Sequence, residues 1–201
     1  MSKKVLRIIS SPRGEASVSR KLGSEIVSKI KTRYPGSIVT EWDLVKMTFP
    51  HLQEEQINLF FTPTESLTSE QAKVLENSND AIAELQNTDI VVIDAPMYNF
   101  TVTSYLKAYL DHIVRYGITF ATTPNGVEGL IKNKKVYVAI SSGFIYTEGA
   151  FQSFDLLTPY LKAMLGWLGM TDVTFFRAEG VNMPAFQDEA LQKAIDSVTI
   201  E

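Results

Sequence analysis

Serine and glycine residues follow the first apolar segment of the chain in a pattern that could bind an anion. Val5 to Ile9 reads as a short strand, and Ser10 to Ser19 connects it to a helix predicted over about Arg20 to Thr32. Serine hydroxyls can donate hydrogen bonds to a phosphate. The N–H groups and the positive dipole end at the start of a helix favour phosphate binding as well. A single serine here would more simply be a helix N-cap, and Arg13 either assists the anion or lies in solvent.

A second candidate binding loop follows the apolar segment Ile90 to Ile93. This segment is rich in β-branched residues and too short for a helix, which predicts a strand buried on both faces. The strand is expected to end at Ala95-Pro96, because proline cannot donate to a sheet ladder. The loop Pro96 to Phe100 (PMYNF) carries large side chains before helical spacing begins at Leu106. A binding loop is therefore favoured over an ordinary surface connection.

Strands and helices alternate along the whole chain. The predicted strands are Val5–Ile9, Ser37–Leu44, Ile90–Ile93, Lys135–Ile140 and Val173–Phe176. The predicted helices cover about Arg20–Thr32, Thr68–Leu85, a segment from Leu106, Thr158–Leu168 and Gln187–Val198. Such alternation predicts a parallel sheet with right-handed crossovers. Residues 45–67 and 117–129 show no clear strand or helix pattern.

The pattern of elements selects one α/β architecture. G-x-G-x-x-G and the P-loop are both absent from the sequence, so the dinucleotide and nucleoside-triphosphate fingerprints are missing. We therefore predict a flavodoxin-like three-layer sandwich, with five parallel strands in the order 2-1-3-4-5 and helices on both faces. A single domain over residues 1–201 is expected. In this order the serine loop and the Pro96 loop converge, and a third polar loop, Ser141 to Phe144, lies beside them. A phosphate cradle beside an aromatic loop suits a phosphorylated planar cofactor.

Composition excludes several other kinds of site. The 201 residues carry 45% hydrophobic and 21% charged residues with a net charge of −4, so no basic footprint for nucleic acid is present. Cysteine is absent and only two histidines occur, which argues against a metal site and excludes a cysteine nucleophile. The sequence shows neither a signal peptide at Met1 to Lys4 nor a run of the ~20 apolar residues that cross a bilayer. A cytoplasmic protein without membrane or nucleic-acid partners is expected.

Ordered motifs run from the Pro96 loop almost to the end of the chain. They are Pro96-Met97-Tyr98-Asn99-Phe100, Leu106-Lys107, Asp111, Arg115, Gly117-Ile118-Thr119-Phe120, Pro124-Asn125-Gly126, Glu128-Gly129-Leu130, Thr158-Pro159-Tyr160-Leu161, Leu168-Gly169, Thr171-Asp172-Val173 and Ala178-Glu179-Gly180. As a set, these motifs resemble the bacterial FMN-dependent NADH-azoreductases and NADH:quinone oxidoreductases, and the resemblance covers essentially the whole chain. It implies non-covalent FMN and a homodimer with active sites at the subunit interface. It also implies transfer of two electrons from NADH to quinones and aromatic azo compounds in ping-pong order.

The resemblance also implies which residues contact FMN. Phosphate would be bound by Ser11, Ser17, Val18 and Ser19. Pro96, Met97, Tyr98, Asn99 and Phe100 would line the isoalloxazine, with backbone N–H groups of the last four facing its N5 and O4 edge. Ser141, Ser142, Gly143 and Phe144 would approach the pyrimidine side. Phe144 stands where the family often has a second glycine. No side chain is expected to be catalytic, because the flavin carries the hydride.

Several aromatic residues are candidates for the substrate pocket. They are Phe60, Phe61, Phe120, Tyr160 and Trp167, and each is as readily explained by the core or a dimer contact. Two other functions stay open on sequence alone: a flavodoxin-type electron carrier without small-molecule turnover, and a scaffold of the same fold without FMN. The preference for NADH over NADPH is also open, since Arg13, Lys46 and Arg115 could each meet a 2′-phosphate.

Overall fold

Five parallel strands form the central sheet, in the order β2-β1-β3-β6-β7. The computed structural model describes residues 1–201, apart from the side chain of Thr64. The strands of this sheet are β1 Lys4–Ile9, β2 Ile38–Asp43, β3 Ile90–Pro96, β6 Lys135–Ser142 and β7 Asp172–Glu179. Counted without β4 and β5, which lie outside the sheet, the order follows the predicted 2-1-3-4-5 pattern.

Helices cover both faces of the sheet. They are α1 Val18–Arg33, α2 Glu54–Phe60, α3 Ser69–Val74, α4 Glu76–Gln86, α5 Ser104–Ile113, α6 Leu157–Leu168 and α7 Gln187–Ser197. One core cluster joins the sheet to α4, α5 and α6, and a second joins it to α1 and α7. Every residue of β3 is buried, as its apolar run predicts for a central strand covered on both faces.

An antiparallel hairpin was missed by the sequence prediction. The sequence predicts turns and a loop for residues 117–129, yet β4 Phe120–Thr123 pairs with β5 Gly126–Gly129. The strands have four residues each, and β5 is a glycine-flanked GVEG segment, so no alternating pattern is legible. The backbone of the hairpin at Gly129 lies in close contact with the backbone at Gly169. A Cβ on Gly129 would lie only 2.0 Å from the Gly169 nitrogen.

Helices α2, α3 and α4 differ from the sequence prediction. One helix was expected from Thr68 to about Leu85, and its start is confirmed by a capping box between Thr68 and Gln71. The prediction of one continuous helix is wrong, because Leu75 breaks it into α3 and α4 and is buried against Leu59 and Phe60. The unpatterned residues 45–67 contain α2 and a short 3-10 turn.

The strands that carry the site are longer than their apolar runs. β6 continues through Ser141 and Ser142, and β7 continues through Glu179. Register pairs Ser141 with Ala178 and Ser142 with Glu179, so polar residues complete the last rungs of the sheet. Hydrophobicity marks only the part of a strand that lies under the helices, so the prediction ended these strands too early. No helix in the part of the chain that the structure describes is long and apolar enough to span a bilayer.

Candidate functional site

A cleft of about 110 Å³ opens at the carboxyl ends of β1, β3, β6 and β7. It is lined by Ser11, Arg13, Ser17, Val18, Pro96, Met97, Tyr98, Ser141, Ser142, Gly143, Val181 and Asn182. Three predicted loops therefore converge, as the strand order requires. Each lining residue is uncharged or, at Arg13, cationic. The cleft thus suits an anion that needs several hydrogen-bond donors.

The serine loop supplies the anion-binding end of this cleft. The side chains of Ser11, Ser17 and Ser19 are almost fully buried, with 1%, 2% and 0% of their residue surface exposed. Ser17 is the N-cap of α1: its hydroxyl accepts a hydrogen bond from the Arg20 N–H at 3.2 Å and lies 3.1 Å from the Ser19 hydroxyl. The first N–H groups of a helix have no partner within it, so those of Val18 and Ser19 are available to a ligand.

The Pro96 loop contains a tight turn with two residues in the left-handed region. Tyr98 N–H donates to the Thr101 carbonyl at 3.0 Å, and Thr101 N–H donates back at 3.2 Å. Between them, φ is 48° at Asn99 and 74° at Phe100. Positive φ at both central positions is the signature of a type I′ turn. Asparagine adopts this region readily, whereas for Phe100 it costs roughly 1–3 kcal/mol. Backbone strain is therefore concentrated beside the cleft.

Two of the four backbone donors predicted for this loop are already used within the protein. Met97 N–H donates to the Ser141 carbonyl at 2.8 Å, and Tyr98 N–H belongs to the turn. Both of these N–H groups are therefore satisfied within the protein. The N–H groups of Asn99 and Phe100 lie outside the hydrogen bonds of the turn and stay available. The Phe100 ring packs on Phe154 at 5.2 Å, which holds the turn in place.

A larger pocket of about 550 Å³ adjoins the cleft at Tyr98, which lines both. Its other lining residues include Asn99, Tyr105, Lys107 and Tyr160. The Tyr160 hydroxyl is buried without a hydrogen-bond partner among the described residues. Burial and the nearby Asp111 carboxylate raise the Tyr160 pKa to about 12. Tyr160 thus lines the pocket beside the cleft and keeps a buried, neutral hydroxyl.

The other predicted pocket residues lie away from the cleft lining. Phe60 is buried against Leu59 and Leu75, and Phe61 is 72% exposed. Phe120 and Trp167 pack on each other at 5.5 Å beside the β4–β5 hairpin, with Trp167 46% exposed. None of these four lines the cleft or the larger pocket. Phe144 is 44% exposed, and its ring packs on Phe151 at 4.9 Å.

Arg115 is not available to a 2′-phosphate. It is 2% exposed, its guanidinium lies 5.1 Å from the Phe60 ring, and it donates to the Asn79 side chain at 2.6 Å. Lys46 is exposed but lies 3.5 Å from the Asp43 carboxylate. Of the three candidates, Arg13 alone lines the cleft.

A buried ion pair lies beneath the binding loops. Arg7 on β1 donates to the Asp94 carboxylate on β3, with Nη2 at 2.8 Å and Nε at 3.1 Å. Burial raises the pKa of Asp94 to about 7, because the attraction of Arg7 offsets only part of the desolvation. The Ser10 hydroxyl donates to the Asp94 carbonyl at 2.8 Å, and Thr103 donates to the Ser10 carbonyl at 3.2 Å. These bonds connect the serine loop to the start of α5.

Two cleft residues were not found by sequence reasoning, Val181 and Asn182. The apolar pattern predicts that the fifth strand ends at Phe176, which is too early to place Val181 and Asn182 in a strand-end loop. β7 in fact runs to Glu179 and delivers Val181 and Asn182 to the same edge as the other loops. Reading the strand three residues further would have indicated them. Among the described residues, no group of three or more histidine, aspartate or glutamate side chains could hold a metal ion.

Comparisons with known proteins agree with this geometry. The family of the flavodoxin-like fold matches residues 3–199. The chain is 44% identical over 192 residues to an FMN-dependent NADH:quinone oxidoreductase of Herminiimonas arsenicoxydans, covering 96% of this chain and 93% of that protein. It is 45% identical over 195 residues to a protein of the same name from Paraburkholderia phymatum, covering 96% and 97%.

The chain belongs to the FMN-dependent NADH:quinone oxidoreductase family. The resemblance inferred from the ordered motifs is thereby confirmed. Solved structures of similar fold include an azoreductase from Bacillus anthracis str. Sterne, with a TM-score of 0.89, 30% identity and coverage of 98% and 96%. An FMN-dependent NADH-azoreductase from Bacillus anthracis str. Ames Ancestor, solved in complex with FMN, gives a TM-score of 0.85 at 28% identity, with coverage of 96% and 94%.

The cleft of this family member fits FMN. A phosphate monoester needs donors without carboxylates, and the start of α1 offers serine hydroxyls, helix N–H groups and Arg13. A flat ring system needs neutral walls, which Met97, Tyr98 and Gly143 supply. The cleft itself measures about 110 Å³, and the larger pocket adjoins it at Tyr98.

Proposed function

We propose that this protein is an FMN-dependent oxidoreductase that reduces quinones and aromatic azo compounds with electrons from NADH. The convergence of the buried serines, the Pro96 loop and the Gly143 loop on one cleft carries the proposal. The family names of the relatives at 44–45% identity support the same activity. FMN, when bound, would supply the redox chemistry, the transfer of two electrons from NADH to the acceptor.

The residues of the chain bind and orient the cofactor in this proposal. Ser11, Ser17, Val18 and Ser19 hold the phosphate, with Arg13 as an additional cation. One side of the ring system is lined by Pro96, Met97, Tyr98, Asn99 and Phe100. The pyrimidine side is lined by Ser141, Ser142, Gly143 and Phe144. The N–H groups of Asn99 and Phe100 stabilise negative charge on the ring edge. Their position is pre-organised by the turn, so it needs no rearrangement during the reaction.

The larger pocket at Tyr98 and Tyr160 is the proposed site for donor and acceptor. Its volume of about 550 Å³ and its aromatic walls suit a nicotinamide, a quinone or an azo compound. Donor and acceptor would occupy this one pocket in turn, which predicts ping-pong kinetics. We also propose a homodimer and a single FMN-binding domain over residues 1–201. A cytoplasmic location stays a prediction, which cell fractionation would check.

Anaerobic stopped-flow spectroscopy tests the activity directly. FMN-loaded protein is mixed with NADH and then with benzoquinone, while the flavin absorbance is followed. Rapid bleaching by NADH and rapid recovery with quinone are expected, and steady-state rates at varied substrate concentrations should give parallel reciprocal lines. FMN that stays oxidised in excess NADH would instead favour a flavodoxin-type electron carrier. A protein that binds no flavin would exclude both functions.

A further inference from the structure

Asn182 lies at the cleft but has no role in the cofactor site inferred from the sequence. It follows β7 and lines the cleft together with Ser142 and Gly143. Its carboxamide makes no hydrogen bond to any side chain or backbone group that the structure describes. The residue is exposed, so a ligand in the cleft can reach the amide.

The backbone around Asn182 is held firmly against the Gly143 loop. Asn182 N–H donates to the Gly143 carbonyl at 3.1 Å, and Val181 N–H donates to the Ser142 carbonyl at 3.2 Å. A third bond, from Gly180 N–H to the Phe144 carbonyl at 3.3 Å, also joins the two segments that follow β6 and β7. These bonds fix the direction from which Asn182 approaches the cleft.

The absence of a side chain at Gly143 makes room for the amide. A Cβ on Gly143 would lie 2.8 Å from the Asn182 Nδ2 atom, closer than side chains tolerate. The carbonyl of the neighbouring Phe144 is less available to a ligand than the Asn182 amide. It already accepts hydrogen bonds from the Ser142 hydroxyl at 2.8 Å and from Gly180 N–H. Asn182 therefore brings a carboxamide with spare donors and acceptors to this side of the cleft.

We propose that Asn182 is a further cofactor-binding residue, whose carboxamide binds the pyrimidine edge of FMN beside Gly143. The inference rests on the proposed function. The pyrimidine edge carries carbonyl acceptors on either side of an N–H donor, and a carboxamide presents both a donor and an acceptor in one plane. A neutral N–H donor here also favours the negative charge that the ring gains on reduction, whereas a carboxylate at the same place opposes it.

Two substitutions of Asn182 distinguish a direct contact with FMN from a purely structural role of the side chain. Asn182→Ala removes the amide and should weaken FMN binding to the full-length apoprotein roughly three- to tenfold, the value of one or two neutral hydrogen bonds. Asn182→Asp keeps the shape and adds charge. It should bind the reduced flavin about tenfold more weakly relative to the oxidised flavin, which lowers the two-electron reduction potential by about 30 mV.

The measurements are fluorescence titration with FMN and equilibration of the holoprotein with a redox dye. Asn58→Ala, on the exposed surface of α2, is the matched control and should change neither. Circular dichroism establishes that each variant is folded. The proposal is overturned if both Asn182 variants match the control. It is also overturned if both weaken FMN binding equally with an unchanged potential, since that would indicate only support of the loop.

Failure of this inference is distinguishable from failure of the proposed function. Wild-type protein that binds FMN and is reduced by NADH, beside unchanged Asn182 variants, would overturn the inference alone. Wild-type protein without FMN affinity would overturn both.

Discussion

Arg13 is the charged member of the cleft lining that the structure describes, and it takes part in none of the ion pairs found there. It lies with Ser11, Ser17 and Val18 at the start of α1, where the proposed phosphate binds. The sequence left open whether this cation assists an anion or lies in solvent. Its place in the cleft favours a role in binding the phosphate. Because Arg13 is exposed, the energy of its contact with the phosphate is limited.

Arg13→Ala should weaken FMN binding roughly three- to tenfold, because a charge-assisted contact to phosphate is lost. Riboflavin, which lacks the phosphate, should bind the variant and the wild type equally. Fluorescence titration with both flavins measures the difference, and added salt should reduce it. Equal weakening for both flavins would show that Arg13 acts by shaping the loop and does not contact phosphate.

Asp94 is the buried titratable group whose environment predicts a pH effect. Its pKa is raised to about 7, from an ordinary value of 3.8, by burial. The folded protein therefore binds more protons than the unfolded chain between about pH 4 and pH 7. It follows that the stability contributed by this carboxyl falls as the pH rises through that range.

Asp94→Asn should accordingly gain stability relative to the wild type as the pH rises from about 4 to about 7, by a few kcal/mol at most. Urea unfolding of both proteins at several pH values measures this difference. A constant offset across the range would contradict the prediction. The substitution also leaves Arg7 with Glu41, 2.9 Å away, as its remaining acidic partner. Any fixed cost of this change in stability is the same at every pH, so it does not alter the trend.

Helix α1 approaches the sheet closely because glycine stands at one position of its buried face. A Cβ on Gly23 would lie 1.7 Å from the Asp94 Oδ1 atom, which has no hydrogen-bond partner among the described residues. The glycine therefore lets α1 pack over the Arg7–Asp94 pair and places Ser17 and Val18 at the cleft. Nothing in the sequence pattern distinguishes this glycine from one that merely weakens a helix.

Gly23→Ala should destabilise the protein by about 3 kcal/mol or more, since the added methyl group overlaps a buried carboxylate. Gly166→Ala is the matched control, because Gly166 is also helical and no atom lies within 4 Å of its added Cβ. The control should be neutral or stabilising by up to about 1 kcal/mol. Thermal unfolding of both variants gives the comparison. Equal changes in stability for the two variants would show that helix propensity alone determines the effect of Gly23→Ala.

Exposed aromatic residues suggest how whole molecules associate. Trp167 is 46% exposed, packs on Phe120 at 5.5 Å, and Phe120 packs on Tyr116 at 5.8 Å. An exposed cluster of this kind on a folded protein often marks an interaction surface. It supports the predicted homodimer without defining the symmetry of the pair.

Trp167→Glu should shift the protein from dimer to monomer, because a charge replaces an aromatic contact at the proposed interface. Ile57→Glu, at an apolar residue of α2 with a similar exposure of 45%, should leave the dimer intact. Sedimentation velocity over a range of protein concentrations measures both. A monomeric wild type would mean that the homodimer prediction is wrong.

The sequence by itself determined the class of fold, the sheet order and most of the loops at the cleft. Buried parallel strands such as Ile90 to Ile93 are legible because they are apolar on both faces, and the order of elements then places their ends at one edge. The ordered motifs identified the family. These features depend on local pattern and topology, which a single sequence carries.

The tertiary structure alone decided which groups at the cleft are free to bind. The Met97 N–H donates to Ser141, 44 residues further along the chain, and the Tyr98 N–H donates to Thr101 within the turn, while the N–H groups of Asn99 and Phe100 make no such bond. Asn182 joins the site because β7 extends past its apolar part. Hydrogen-bond partners and close approaches depend on where separate segments meet, and no local pattern of side chains encodes that distance.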